Sequence, residues 1–185
     1  MAERAFVSEA VMLGRTNEDV LESAIREYAR LVYRIAYSVL RNHHDAEDVA
    51  QETFVRVLHY GKKLEEVRDP KAWLARIAWR VAVERNKKRV EVSLSEKNAE
   101  DTVVRLRSQL ASAEENALGT EMAMLLSSLI AALPEALRDV LRLSTVQALA
   151  PAEIAAVLGT SEATVRSRLF RARQILKEKL SALGG

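Results

Sequence analysis

The stretch Pro151-Ala152-Glu153-Ile154-Ala155-Ala156-Val157-Leu158, then Gly159-Thr160-Ser161, then Glu162-Ala163-Thr164-Val165-Arg166-Ser167-Arg168-Leu169-Phe170-Arg171-Ala172-Arg173 decides the fold. Pro151 suits the first helical position, where an N–H is not needed. Gly159 suits the stop, and Thr160-Ser161 suits the cap of the next helix. The spacing predicts a short helix over 151–158, a turn, and a longer helix to about Leu180, which together make a helix-turn-helix. Val165, Leu169, Ala172 and Leu176 cluster on one side of the second helix, and Ala163, Arg166, Ser167, Phe170 and Gln174 project from the other. Small and hydrogen-bonding residues allow close approach to base edges, while Arg168, Arg171 and Arg173 on the flanks suit phosphates. The bland alternative is a helical hairpin with a solvated basic face. Turn, cap, period and charge all agree on DNA.

Around this motif lie 185 residues, 49% hydrophobic and 29% charged, enough apolar material for a core. Zero Cys excludes disulfides, thiolate metal sites and cysteine nucleophiles. No apolar run reaches the ~18 residues of a membrane span. The start Met1-Ala2-Glu3-Arg4-Ala5-Phe6 lacks a signal-peptide pattern, so a cytoplasmic protein is expected. Three Pro, six Gly and abundant Ala, Leu, Arg and Glu favour an all-α fold. The formal net charge of +2 divides into +3 over residues 1–90, −4 over 91–132 and +3 over 133–185. Two basic ends around an acidic middle predict two small helical domains joined by a flexible linker. The boundaries read as a tail over 1–16, a first domain over 17–89, the linker over 90–113 and a second domain over 114–185.

The first domain reads as three helices. Val20, Leu21, Ala24, Ile25, Tyr28, Leu31, Val32, Ile35, Ala36 and Val39 keep a helical period to Leu40. Asp45 is expected to cap a second helix, to about His59. On that helix Ala46, Val49, Ala50, Thr53 and Val57 share the core arc. Asp45, Asp48 and Glu52 share the opposite arc, with Gln51 beside them and the apolar Val55 among them. The plain reading is a solvated acidic face. Packed acids around an apolar residue also suit docking to a basic partner. His44 and Asp48 have metal-ligand spacing, but no further ligands accompany them and no metal site is assigned.

Asp69-Pro70 opens a third helix, to about Arg89. Trp73, Leu74, Ile77, Ala78 and Val81 form its core arc, while Arg76, Trp79, Arg80, Val83 and Lys87 face away. A Trp among cations has the composition of a surface that stacks on unpaired bases, and the alternative is that Trp79 packs inside. The run Arg85-Asn86-Lys87-Lys88-Arg89 is more plainly electrostatic.

At this point the residues resemble a family. Asp45-Ala46-Glu47-Asp48-Val49-Ala50-Gln51-Glu52-Thr53-Phe54, then Ala72-Trp73-Leu74-Ala75-Arg76-Ile77-Ala78, then Thr164 to Arg173 resemble the bacterial sigma factors of the extracytoplasmic-function group. The resemblance covers roughly residues 25–180, in the family's order and spacing. It implies a non-catalytic protein without cofactors that joins core RNA polymerase and promoter DNA, single-stranded in part at −10 and double-stranded at −35. Asp48, Gln51 and Glu52 match the motif that contacts the polymerase clamp, and Asp45 and Val55 belong to the same face. Arg76 and the run to Arg89, including Lys87 and Lys88, match the DNA-contacting helix of the first domain, where Trp79 and Arg80 also lie. Arg166, Ser167, Arg168 and Arg171 match the recognition helix; Ala163, Phe170 and Arg173 lie on the same surface.

By the same resemblance, the linker from Val90 to Ala113 corresponds to a segment that threads through polymerase, and an anti-sigma factor is an expected partner. Two departures concern −10 preference. Trp79-Arg80 stands where the family usually has a basic residue and Asn, and the loop Gly61 to Arg68 lacks the usual aromatic. Two rivals are a free-standing helix-turn-helix regulator, which has no need of the acidic face, and a nucleic-acid enzyme, for which no ligand cluster or nucleophile–base pair is legible.

Overall fold

The computed structural model describes residues 17–60, 67–95, 117–146 and 149–183. Within them are seven α-helices: α1 (Asn17–Leu40), α2 (His43–Tyr60), α3 (Pro70–Ser95), α4 (Ala117–Ala131), α5 (Glu135–Ser144), α6 (Pro151–Leu158) and α7 (Glu162–Leu183). The expectations for the tail 1–16, for most of the loop 61–68 and for linker residues 96–113 lie outside the described residues.

Local chemistry explains most of the boundaries. The Asp69 carboxylate accepts the Ala72 N–H at 2.9 Å, with Pro70 at the first helical position. Ser161 accepts the Thr164 N–H at 3.1 Å and starts α7. Gly159 ends α6 in the left-handed conformation, φ 66°, with the Thr160 N–H bonded back to the Ala155 carbonyl at 3.0 Å. Two expectations need correction. Asn42, not Asp45, caps α2: its Oδ1 accepts the Asp45 N–H at 2.9 Å, which leaves Asp45 in the first turn, where a carboxylate complements the helix dipole. Helix α3 does not stop at Arg89 but runs to Ser95, so the first six residues of the expected linker are helical. Val90 and Val92 in that extension are half exposed, which is why no amphipathic period marks it.

Helices α1, α2 and α3 pack together around Val32, Ile35, Leu40, Val49, Val57, Leu74 and Val81, all essentially inaccessible. The α4–α7 unit has a smaller core of Leu133, Leu137, Ala172 and Leu176. The two units are not separate. One apolar cluster runs from α1–α3 into Val140, Leu143, Val146, Ile154, Val157, Val165 and Leu169, and α3 lies against α6. Units this small gain by sharing apolar surface, because each alone leaves much of its own exposed.

The buried arc of α3 is wider than the sequence pattern indicates. Leu74, Ala75, Ala78, Trp79, Val81 and Ala82 are buried, while Trp73 and Ile77 are only half-buried. The arc is rotated by roughly a quarter turn from the expected one. Trp79, expected on the outward face, is 7% exposed. Trp79→Ala should therefore cost about 3–5 kcal/mol of stability, read from urea unfolding monitored by circular dichroism. Gly159→Ala should cost about 1–2 kcal/mol by the same measurement, entirely from backbone strain, since an added Cβ meets nothing within 4 Å.

Candidate nucleic-acid and polymerase interfaces

Three surfaces carry the candidate residues. On α2, burial of Ala46, Val49, Thr53 and Val57 turns Asp48, Gln51 and Val55 outward, with Asp45 and Glu52 half-buried at the margin. The acids are not left to repel one another. Arg85 on α3 donates to Asp48 at 2.6 Å and to Asp45 at 3.2 Å, and Arg89 lies 3.7 Å from Asp45. Arg56 pairs with Glu52 at 2.7 Å and with Glu84 at 3.6 Å. Lys88, hydrogen-bonded to Glu84 at 3.1 Å, together with Arg56 holds the Glu84 carboxyl below the usual carboxylate range. The face is thus a laced mosaic of charge around apolar Val55, 49% exposed, with Leu58 one turn further and 54% exposed. Sequence reasoning missed Leu58 and the Arg85 clasp. The first has a signal in the Val55-to-Leu58 spacing, and the second spans 37 residues and has none.

The second surface is the outward side of α3. Arg76, Arg80, Lys87 and Lys88 are exposed and Arg89 is half-buried. A cavity of about 300 Å³ runs along the helix, lined by Trp79, Arg80, Val83, Glu84 and Lys87. It therefore presents a small part of an indole with two cations beside it. Arg76 does not point freely to solvent. Its Nε donates to the Ala156 carbonyl at 3.0 Å, and its Nη2 bonds the same oxygen.

The third surface is α7. Val165, Leu169, Ala172 and Leu176 are buried, and Ala163, Arg166, Ser167, Phe170, Arg171, Arg173 and Gln174 are exposed, with Arg168 half-buried. The division is the one the sequence predicts. Phe170 is 72% exposed, an unusual outlay of apolar surface on a helix rimmed by arginines. Arg166 is tethered to Glu162 one turn earlier, at 2.5 Å, which fixes its guanidinium over the first turns of the helix.

Among the described residues there is no group of three or more His, Cys, Asp or Glu that could hold a metal ion. Asp48, the acid spaced for a metal with His44, is bonded to Arg85. No helix among the described residues is long and apolar enough to cross a membrane.

Comparison with known proteins gives this arrangement a family. Residues 24–90 match the Sigma-70 region 2 model, and residues 123–176 match the Sigma-70, region 4 model. The first span holds α2 and most of α3; the second holds the helix-turn-helix. The ECF RNA polymerase sigma factor SigM of Bacillus subtilis is 31% identical over 160 residues, covering 85% of this chain and 93% of that protein. The structure of CnrH in complex with the cytosolic domain of CnrY superposes with a TM-score of 0.63 at 24% identity, covering 98% of this chain and 99% of that one. Sigma factor RpoE in complex with the anti-sigma factor NepR, from Bartonella quintana, superposes with a TM-score of 0.59 at 20% identity, covering 86% and 96%. The three surfaces thus sit on two sigma-factor regions in their proper order, and the chain belongs to the extracytoplasmic-function RNA polymerase sigma factors.

Proposed function

We propose that this sigma factor docks on the clamp of core RNA polymerase through α2, reads the −35 element with α7 and holds unpaired −10 DNA along α3. Nucleotide addition belongs to polymerase. The single observation that carries this reading is the sharp division of α7: a buried apolar side, and an exposed side of Ala163, Arg166, Ser167 and Phe170 flanked by Arg171 and Arg173. Small Ala163 permits close approach to the major groove. Arg166 and Ser167 supply donors to base edges, and Phe170 supplies an apolar contact of the kind a thymine methyl accepts.

On α3, Arg80, Lys87, Lys88 and Arg89 neutralise phosphates, and the cavity beside Trp79 receives an extruded base. The small exposure of Trp79 favours contact through an edge of the indole over a full stack. On α2 the exposed pair Val55 and Leu58 supplies apolar contact, with Asp48 and Gln51 around it to set register. Promoter binding places the protein in the cytoplasm. Two exposed apolar surfaces, around Val55 and at Phe170, are also suited to capture by an anti-sigma factor, the kind of partner RpoE has in its complex with NepR.

Run-off transcription with core polymerase tests the whole reading: the chain should direct initiation from a cognate promoter where core enzyme alone does not. Val55→Glu, at an exposed helical site, should change stability by less than about 0.5 kcal/mol. It should nonetheless weaken binding to core polymerase by at least about tenfold, the effect of placing an unpaired charge in an apolar contact. On α7, Arg166→Ala should alter which −35 duplexes are preferred, by about 1–3 kcal/mol of discrimination. Arg171→Ala should weaken all duplexes alike and lower the salt slope by about one unit. Uniform loss with Arg166→Ala and altered preference with Arg171→Ala would mean that α7 is turned differently in the groove.

A further inference from the structure

The seam between the end of α1 and helix α5 gathers guanidiniums that the three surfaces above leave unexplained. Leu40, the last residue of α1, and Leu143 of α5 are inaccessible to solvent and belong to one apolar cluster. Each has an arginine beside it in the chain, Arg41 and Arg142. Arg89 reaches across from α3, its Nη1 donating to the Leu40 carbonyl at 3.4 Å. Arg138 stands one turn before Arg142 on α5, its Nη1 on the Ala131 carbonyl at 2.9 Å. Guanidiniums from both helical units thus meet at one place. Burial first, and then Arg138, Arg41 and Arg89, push Arg142 below the usual arginine value.

Acceptors for these donors are few. Arg41 and Arg142 have neither a hydrogen bond nor an ion pair among the described residues, and the Arg138 Nε is buried without a partner. A buried donor of a charged group is costly to leave without an acceptor. Asp45 is engaged by Arg85 and Arg89, and Glu135 lies 3.9 Å from Lys87. That leaves the half-buried Asp139, whose carboxyl is raised above its ordinary value by burial. The forked donors of guanidinium match phosphate oxygens, and several of them together favour an anion with more than one charge. Arg138 and Arg142 are half-buried between packed helices, a place open to a short chain of phosphates and too narrow for a duplex. We propose that Arg41, Arg138 and Arg142 form a binding site for a small anion of linked phosphates, a nucleoside polyphosphate or inorganic polyphosphate, between the α1–α3 unit and α5. Arg89 adds its charge while keeping its bond to Leu40, and Asp139 is the carboxylate that opposes the ligand. The site is independent of the surfaces assigned to DNA and polymerase, since none of its three arginines belongs to them.

The test is calorimetric titration of the full chain with inorganic tripolyphosphate, accompanied by thermal melting. One anion should bind per chain, and Tm should rise with its concentration. Arg142→Gln is expected to weaken binding about tenfold or more, as loss of a charged hydrogen-bonding group does. Arg41 is exposed and holds a left-handed backbone, φ 52°, that glycine adopts without strain. Arg41→Gly should therefore keep the fold while weakening binding about threefold to fivefold. Asp139→Asn removes the opposing carboxylate and should tighten binding about threefold, a gain that a merely structural arginine cluster does not predict. Arg26→Ala, on the same helix but about 22 Å from Arg41, should change nothing. No binding of tripolyphosphate overturns the site, as does an Arg26→Ala loss equal to that of Arg41→Gly. No effect from either Arg41→Gly or Asp139→Asn overturns it too, and these two decide the matter if Arg142→Gln does not fold. ATP bound more tightly than tripolyphosphate assigns the site to nucleotides; equal or weaker binding assigns it to inorganic polyphosphate. An oligonucleotide that is sensitive to Arg41→Gly, where tripolyphosphate does not bind, means that the cluster contacts DNA and overturns the proposal.

Discussion

Helix α3 is the element that both helical units bury, and the rest of the structure follows from that constraint. One flank closes the α1–α2 pair through Leu74, Ala78 and Val81; the other extends the buried arc to Ala75, Trp79 and Ala82. An amphipathic helix that serves one core needs an apolar stripe somewhat over a quarter of its circumference. One that serves a core continuing into a second unit needs more. What remains for function is a narrow outward strip of Arg76, Arg80, Lys87 and Lys88, in which polar side chains also have to provide for the interface.

Much of this was legible in the sequence. Asp69-Pro70, Gly159 and Ser161 act through local chemistry, within three residues of where they stand, and their effect on boundaries can be read directly. The division of α7 was legible too, because a single core claims one side of it. The arc of α3 was misread at Trp79 because helical periodicity reports how apolar residues are spaced and not how many neighbours a helix has. The continuation of α3 to Ser95 left no trace, since Val90 and Val92 are half exposed and give no period. The clasp of Arg85 on Asp45 and Asp48 and the grip of Lys71 on Glu153 join residues 37 to 82 positions apart, and nothing in a local pattern encodes such pairings.

The charge mosaic on α2 has a physical use that an unpaired acidic face would lack. Three carboxylates within one turn or two of a helix raise each other's energy and remain mobile. Clasped by Arg85 and Arg56, the same carboxylates are paired with guanidiniums around Val55. Exposed pairs of this kind add little to stability, roughly 0–1 kcal/mol each. Their contribution is pre-organisation: a partner meets oriented acceptors and a ready apolar patch, and loses less side-chain entropy on binding. Arg85 also ties α2 to α3, so the charged face of α2 and the basic strip of α3 are joined directly.

A promoter-recognition protein must carry many cations, and cations are poor neighbours inside a compact chain. This molecule settles them in three ways. Arg85, Arg56 and Lys88 are matched to carboxylates of their own unit. Arg171 and Arg173 are left to water on α7. Lys71 and Arg76 find their oxygens across the interface, on α6. These bonds, with the 3.9 Å pair of Lys87 and Glu135 of α5, tie the state of the cation to the relation between the units, because they exist only while the units touch. Arg138 and Arg142 fit none of the three: burial first, and then Arg138, Arg41 and Arg89, push Arg142 below the usual arginine value. The positive charge that recognition demands is thus also part of how the two helical units are joined.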